Sequence, residues 1–152
     1  MKIYLDVSCL NRPFDDQKQI RIRIETEAIA EILEKCEVGT WEQVSSEMAD
    51  IELDAMPDKK RLPRVRLLLP DDEHTLELTP EVFTRGIALQ SLGLKAADAL
   101  HVAAAEEIGA DVFLTCDDRL LSVAYRRRAE IRVHVANPMD WLKEITHADD
   151  SR

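Results

Sequence analysis

Asp111-Val112-Phe113-Leu114-Thr115 (DVFLT) is a short apolar run of the kind that forms a buried strand, and Cys116-Asp117 follows directly at its end. Before it, Lys95 or Ala96 to Ile108 is rich in alanine and stopped by Gly109, the pattern of a packed helix with a glycine after its last turn. After it, Arg119 to Arg128 returns as helix, Ile131 to Val135 is a second strand, and Asn137-Pro138 opens a last short helix. Short apolar strands alternating with helices predict a parallel sheet covered on both faces. In such sheets the functional crevice lies at the carboxyl ends of the strands, which is where Asp117 falls.

The N-terminal half repeats the pattern. Lys2 to Val7 (KIYLDV) is β-prone and carries Asp6 at its end, and Asn11 to Asp16 breaks it into a loop. Gln17 to Lys35 reads as a helix with Ile22, Ala28, Ile29, Ile32 and Leu33 near helical spacing. Glu37 to Trp41 is the expected second strand, followed by a helix from Ser45 or Ser46 to Met56, with serine as N-cap and Pro57-Asp58 beyond its end. Lys59 to Leu69 is basic and expected to be helical despite Pro63, and Pro70 to Leu78 is acidic loop or edge structure. Thr79-Pro80-Glu81 starts a helix with a capping hydroxyl, proline at its first position and an acid at the positive end of the dipole; Gly93 stops it.

The 152 residues suit one domain, expected to span 1–147, with 148–152 as a polar tail. No stretch approaches the length of a membrane span, and three cysteines (Cys9, Cys36, Cys116) in no metal-binding spacing point to reduced thiols, hence a cytoplasmic location. A formal charge of −10 argues against bulk electrostatic binding of nucleic acid but not against an enzyme with an acidic centre and local basic groups.

Asp6, Glu52, Asp98 and Asp117 are the candidate centre. Four carboxylates that meet cannot all stay ionised without a cation, and an all-oxygen set suits Mg²⁺ or Mn²⁺. Such ions generate a nucleophile from water near neutral pH and polarise a scissile phosphate. That chemistry needs no 2′-hydroxyl, so the expected products are 3′-hydroxyl and 5′-phosphate ends.

Leu5-Asp6-Val7-Ser8, Ala97-Asp98-Ala99-Leu100-His101-Val102-Ala103-Ala104-Ala105 and Leu114-Thr115-Cys116-Asp117, in this order, make the chain resemble the PIN-domain family, and within it the VapC-like ribonuclease toxins. The resemblance implies a three-layer α/β/α fold with a central, mostly parallel sheet, a Mg²⁺ or Mn²⁺ centre and an RNA substrate. It implies metal ligation by Asp6, Glu52, Asp98 and Asp117, orientation of Asp6 by Ser8, and support of Asp117 by Thr115. The second acid is Glu52, in Glu52-Leu53, with Glu47 on the same helix as the alternative. Also implied are a homodimer and an antitoxin that blocks the acidic site, often with an arginine.

Plainer readings stand beside these. Asp117 serves equally well as the cap of the next helix, although Asp118 is better placed as cap or first-turn acid. Asp6 and Asp98 are harder to dismiss, because an unpaired carboxylate in buried surroundings is costly. His101 reads first as a packed helix residue with its ring satisfied by backbone. Cys9 and Cys116 read as small buried fillers, and Trp41 and Trp141 as core or interface anchors. Asp15 and Asp16 add two acids near the crevice, available to a metal or to a partner's basic residue. Basic clusters at Arg21/Arg23, Lys59–Arg66 and Arg126–Arg128 are ordinarily solvated faces; the middle one is the candidate RNA dock. A catalytically inactive PIN-like interaction module is the competing function.

Overall fold

The computed structural model describes residues 1–150. Its sheet is built from β1 (Lys2–Leu5), β2 (Glu42–Ser46), β3 (Thr75–Leu76), β4 (Val112–Leu114) and β5 (His134–Ala136). All pairings are parallel, in the order β3-β2-β1-β4-β5, so β1 lies at the centre. Ile3 is level with Gln43 on one side and Val112 on the other; Tyr4 is level with Val44 and Phe113.

Among the described residues eight helices cover the sheet: α1 (Val7–Asn11), α2 (Ile20–Glu37), α3 (Glu47–Asp54), α4 (Leu62–Arg66), α5 (Pro80–Gln90), α6 (Ala96–Glu107), α7 (Asp118–Arg126) and α8 (Pro138–Asp150). Alternation along each strand divides the core in two. Ile3, Leu5, Val112 and Leu114 pack with Leu10, Ile29, Ile32, Trp41 and Trp141, the two indoles meeting edge to face at 5.0 Å. Tyr4, Val44 and Phe113 face the other way, onto Leu89, Val102, Ala103 and Leu120. The alanines let α6 lie close, and a Cβ at Gly86 of α5 would sit 2.9 Å from Leu100 Cδ2, so that side chain would have to move aside. This is the three-layer α/β/α arrangement expected.

Several boundaries differ from expectation. β1 stops at Leu5, and Val7–Asn11 is a helical turn followed by a 3₁₀ turn at Arg12–Phe14, not a strand end followed by open loop. The second strand is Glu42–Ser46, not Glu37–Trp41. α2 continues through Glu37, Gly39 turns the chain at a φ of 86°, and Trp41 enters the core before the strand begins. The basic stretch Lys59–Leu69 is helical only over Leu62–Arg66, and Pro70–Leu78 holds a 3₁₀ turn and the short edge strand β3. The last helix continues to Asp150, past the expected start of the tail at 148; residues 151–152 lie outside the described residues.

Candidate metal centre

Asp6 stands where β1 hands over to α1. It holds the N-cap position with extended backbone, yet its side chain makes no capping bond. Its carboxylate is held instead by two hydroxyls: Ser8 Oγ donates to Oδ2 at 3.0 Å and Thr115 Oγ1 at 2.8 Å. Each hydroxyl in turn accepts a backbone N–H from the β4–α7 turn, Ser8 from Cys116 at 3.1 Å and Thr115 from Asp117 at 3.1 Å. The Thr115 hydroxyl thus holds Asp6 by its carboxylate and Asp117 by its backbone N–H.

Glu52 projects from the second turn of α3, a helix capped by Ser46, whose Oγ accepts from Met48 N at 3.2 Å. Glu52, Asp6 and His101 offer ligand atoms that all lie within 4.8 Å of one another, the one such group among the described residues. Glu47 points elsewhere: its Oε2 accepts from Leu78 N at 3.4 Å beside β3.

Asp98 lies in the first turn of α6, half-buried. Its carboxyl is pushed up to about 6, first by burial and then by the charges of Asp6, Asp117 and Glu52, with His101 opposing. Asp98 therefore feels the charges of Asp6, Asp117 and Glu52, although the group whose ligand atoms converge is Asp6, Glu52 and His101. Asp6 is raised too, chiefly by burial, against the relief offered by His101, Thr115 and Ser8. Asp117, and not Asp118, caps α7: its Oδ1 accepts from Arg119 N at 2.9 Å and Leu120 N at 3.2 Å. Asp118 is a first-turn acid paired with Arg21 at 2.7 Å. Asp117 has cap duty on one oxygen and its charge bears on Asp98 as well.

His101 is fully buried, and its ring is satisfied by side chains, not by backbone. Nδ1 lies 2.6 Å from Tyr4 Oη and Nε2 lies 2.9 Å from Glu52 Oε1. Burial opposes charging this ring, but the bond to Glu52 and the charges of Asp6, Glu52 and Asp98 outweigh it and hold its pKa above the usual histidine value. Tyr4 escaped notice at the sequence level, and Ser46 was legible there only as a candidate helix cap. The available signal was that Tyr4 alternates with Ile3 and Leu5 and so faces the α6 layer, while His101 follows Asp98 by three residues on α6.

The expected basic dock is largely committed elsewhere. Arg61 binds Asp15 at 2.8 Å and Phe14 O, and Arg66 binds Asp50 at 2.9 Å and Asp54 at 2.7 Å. Asp15 is likewise taken up by Arg12 and Arg61, so it is not an open acid for a metal or partner. Cys9 and Cys116 are buried with their sulfurs 3.7 Å apart.

The donor set fits a hard divalent cation. Among the described residues no lysine or arginine forms an ion pair with Asp6, Glu52, Asp98 or Asp117, and two of these acids are raised by their surroundings. The His101 imidazole on Glu52 is, among the described residues, the one basic group paired with these four acids, and a divalent cation would balance the rest of their charge. A central β1 bearing an acid at its carboxyl end, in an all-parallel α/β sheet, defines a class of acidic-centre α/β domains. The family model of the PIN domain matches residues 3–125, and the chain belongs to the PIN-domain family, whose members are generally nucleases acting on RNA or DNA. No curated protein matches the chain. No helix among the described residues is long and apolar enough to cross a membrane.

Proposed function

We propose that the protein is a Mg²⁺- or Mn²⁺-dependent endoribonuclease of the VapC-like type, acting in the cytoplasm as the toxin of a toxin–antitoxin pair. The observation that carries the metal-dependent reading is the meeting of Asp6 and Glu52, 46 positions apart on different elements, with Asp98 and Asp117 repelling one another beside them. Asp6, Glu52, Asp98 and Asp117 would hold the ion. When bound, the ion supplies a water-derived nucleophile and polarises the phosphate.

The chain's own residues do the rest. Ser8 and Thr115 fix the Asp6 carboxylate by donating to it, and the α7 N-terminus fixes Asp117 by donating the Arg119 and Leu120 N–H groups to its Oδ1. The Asp98 carboxyl, raised to about 6, is the group whose proton a cation would displace in mildly acidic solution, which makes metal binding there depend on pH. Exposed Ile20 and Ile24 on α2 and Phe83 and Ile87 on α5 supply apolar surface for an antitoxin or a second copy of the chain. A catalytically silent interaction module gains nothing from acids that repel one another, which favours the enzyme.

The test is incubation of a mixed RNA pool with wild type and Asp6→Asn, each with Mg²⁺, Mn²⁺ or EDTA. Cleavage by wild type alone, lost in EDTA, is the expected result. Equal cleavage by both proteins, or cleavage that survives EDTA, overturns the reading.

A further inference from the structure

Behind the acidic centre runs a buried file of polar groups that metal ligation by itself does not require. Ser46 Oγ lies 2.7 Å from Tyr4 Oη, Tyr4 Oη 2.6 Å from His101 Nδ1, and His101 Nε2 2.9 Å from Glu52 Oε1. Ser46, Tyr4 and His101 are all buried, and the file lies in the apolar layer that also holds Phe113, Ala99 and Val102. Leucine or phenylalanine at positions 4 and 101 would fill that layer without the cost of desolvating three polar side chains. Such a network is tolerable only when every member is paired.

The pairing has a direction. Met48 N–H donates to Ser46 Oγ, so the Ser46 hydroxyl hydrogen has Tyr4 Oη as its acceptor. With the imidazole neutral, Tyr4 then donates to His101 Nδ1 and the ring proton on Nε2 is donated to Glu52 Oε1; a charged ring keeps the same Nε2–H donation. Reversing the file would leave the Ser46 hydroxyl hydrogen without an acceptor among the described residues. Packing locks the same geometry: the Tyr4 ring stacks on Phe113 at 5.1 Å and meets His101 nearly edge-on at 5.7 Å. Ser46 is also the cap of the helix that carries Glu52, so one file fastens both the start of α3 and the side chain at its second turn.

We propose that His101 is a positioning residue, oriented by Tyr4 and Ser46, whose Nε2–H holds one oxygen of Glu52 and leaves the other for the divalent cation. His101 is then not itself a ligand, although its ring lies within ligand distance of the group, because both nitrogens are already committed. The proposal rests on the reading of the acidic centre as a cation site.

Calorimetric titration with MnCl₂ tests it on wild type, His101→Leu, His101→Gln and Tyr4→Phe, with Glu52→Gln as a control and circular dichroism to verify folding. Loss of an oriented partner behind a ligand weakens metal binding by about 10–100-fold, the change expected for His101→Leu. Tyr4→Phe keeps the ring and loses only the hydroxyl, and is expected to weaken binding by about threefold or more through the freed imidazole. Gln at 101 can present an amide N–H to Glu52 and is expected to restore affinity to within about fivefold of wild type. A role confined to packing would make the glutamine at least as harmful as the leucine, and a direct ligand would not be replaced by an amide donor. His101→Gln as weak as His101→Leu overturns the proposal, as does wild-type affinity in both His101→Leu and Tyr4→Phe. If wild type and Glu52→Gln both fail to bind Mn²⁺, the cation site itself is wrong and the proposal falls with it. If wild type binds and Glu52→Gln does not, the site stands and the histidine variants alone decide.

Discussion

The hydroxyl of Thr115 reaches across from the end of β4 to the carboxylate of Asp6 at the end of β1, 2.8 Å away and 109 positions distant in the chain. It stitches two adjacent strands at the point where both give way to helix, and it does so while receiving the N–H of Asp117. Replacement by valine keeps the shape and deletes both bonds, leaving the Asp117 N–H without its partner and Asp6 Oδ2 with Ser8 as its remaining donor. Thr115→Val is expected to lower stability by about 1–3 kcal/mol, read from urea unfolding, with Thr115→Ser recovering most of it. Equal stability of the valine variant would mean that this hydroxyl matters little.

Glu52 and Glu47 share a helix but not a destination. Glu52→Gln is expected to reduce metal-dependent RNA cleavage by on the order of 100-fold or more, and Glu47→Gln to leave it within about threefold of wild type. Rates measured side by side under identical Mn²⁺ decide between them. Full activity in the first and none in the second reverses the assignment.

The repulsion at Asp98 has a stability signature in the metal-free protein. The folded carboxyl keeps its proton up to about pH 6, whereas the ordinary value is 3.8. Between these values the folded state binds more protons than the unfolded, so stability falls as pH rises through that window, and the cost is complete above it. Asp98→Asn removes the cost. Thermal melts in EDTA are expected to show the variant stabilised at pH 7.5 by on the order of 1 kcal/mol, after allowing for solvent screening of a half-buried group, and much less at pH 4.5. A gain independent of pH would show that the mutual repulsion of the acids is not its source.

Product chemistry separates a metal-dependent hydrolysis from attack by the ribose. The expected fragments carry 5′-phosphate and 3′-hydroxyl ends, and they can be joined directly by a ligase that requires both. Terminal 2′,3′-cyclic phosphate as the main product would exclude the mechanism.

The thiols give an independent check on the core. Burial pushes the Cys9 thiol well up, and Cys116 is 5% exposed, whereas Cys36 is half-buried. Alkylation at neutral pH in the folded state is expected to modify Cys36 first and to reach Cys9 only on unfolding. Mass spectrometry of peptides after timed quenching would reveal the opposite order.

How far the amino-acid order disclosed this architecture depends on the element. Helices with strong punctuation, such as Thr79-Pro80 opening α5 and Gly109 closing α6, were legible to within a residue or two. The second strand was misplaced because Val38, Thr40 and Trp41 are better strand formers than Glu42-Gln43-Val44-Ser45-Ser46. Pairing with β1 overrides that preference, as parallel partners are chosen by the sheet and not by local propensity. Asp6 and Asp98 stood out because they interrupt apolar runs. The imidazole of His101 did not, since its partners Tyr4 and Glu52 lie 97 and 49 positions away and only the packing of α6 over β1 unites them.

The central place of β1 bears on how the protein comes into being during translation. β1 cannot be flanked on both sides until Val112–Leu114 has been synthesised, and Thr115 must follow before Asp6 is fully held. A closure spanning most of the chain is slow and late. A growing polypeptide therefore carries its acids as separated, unassembled parts, and chains stalled short of Val112 should be inert toward RNA when assayed on the ribosome, sparing the message that encodes them.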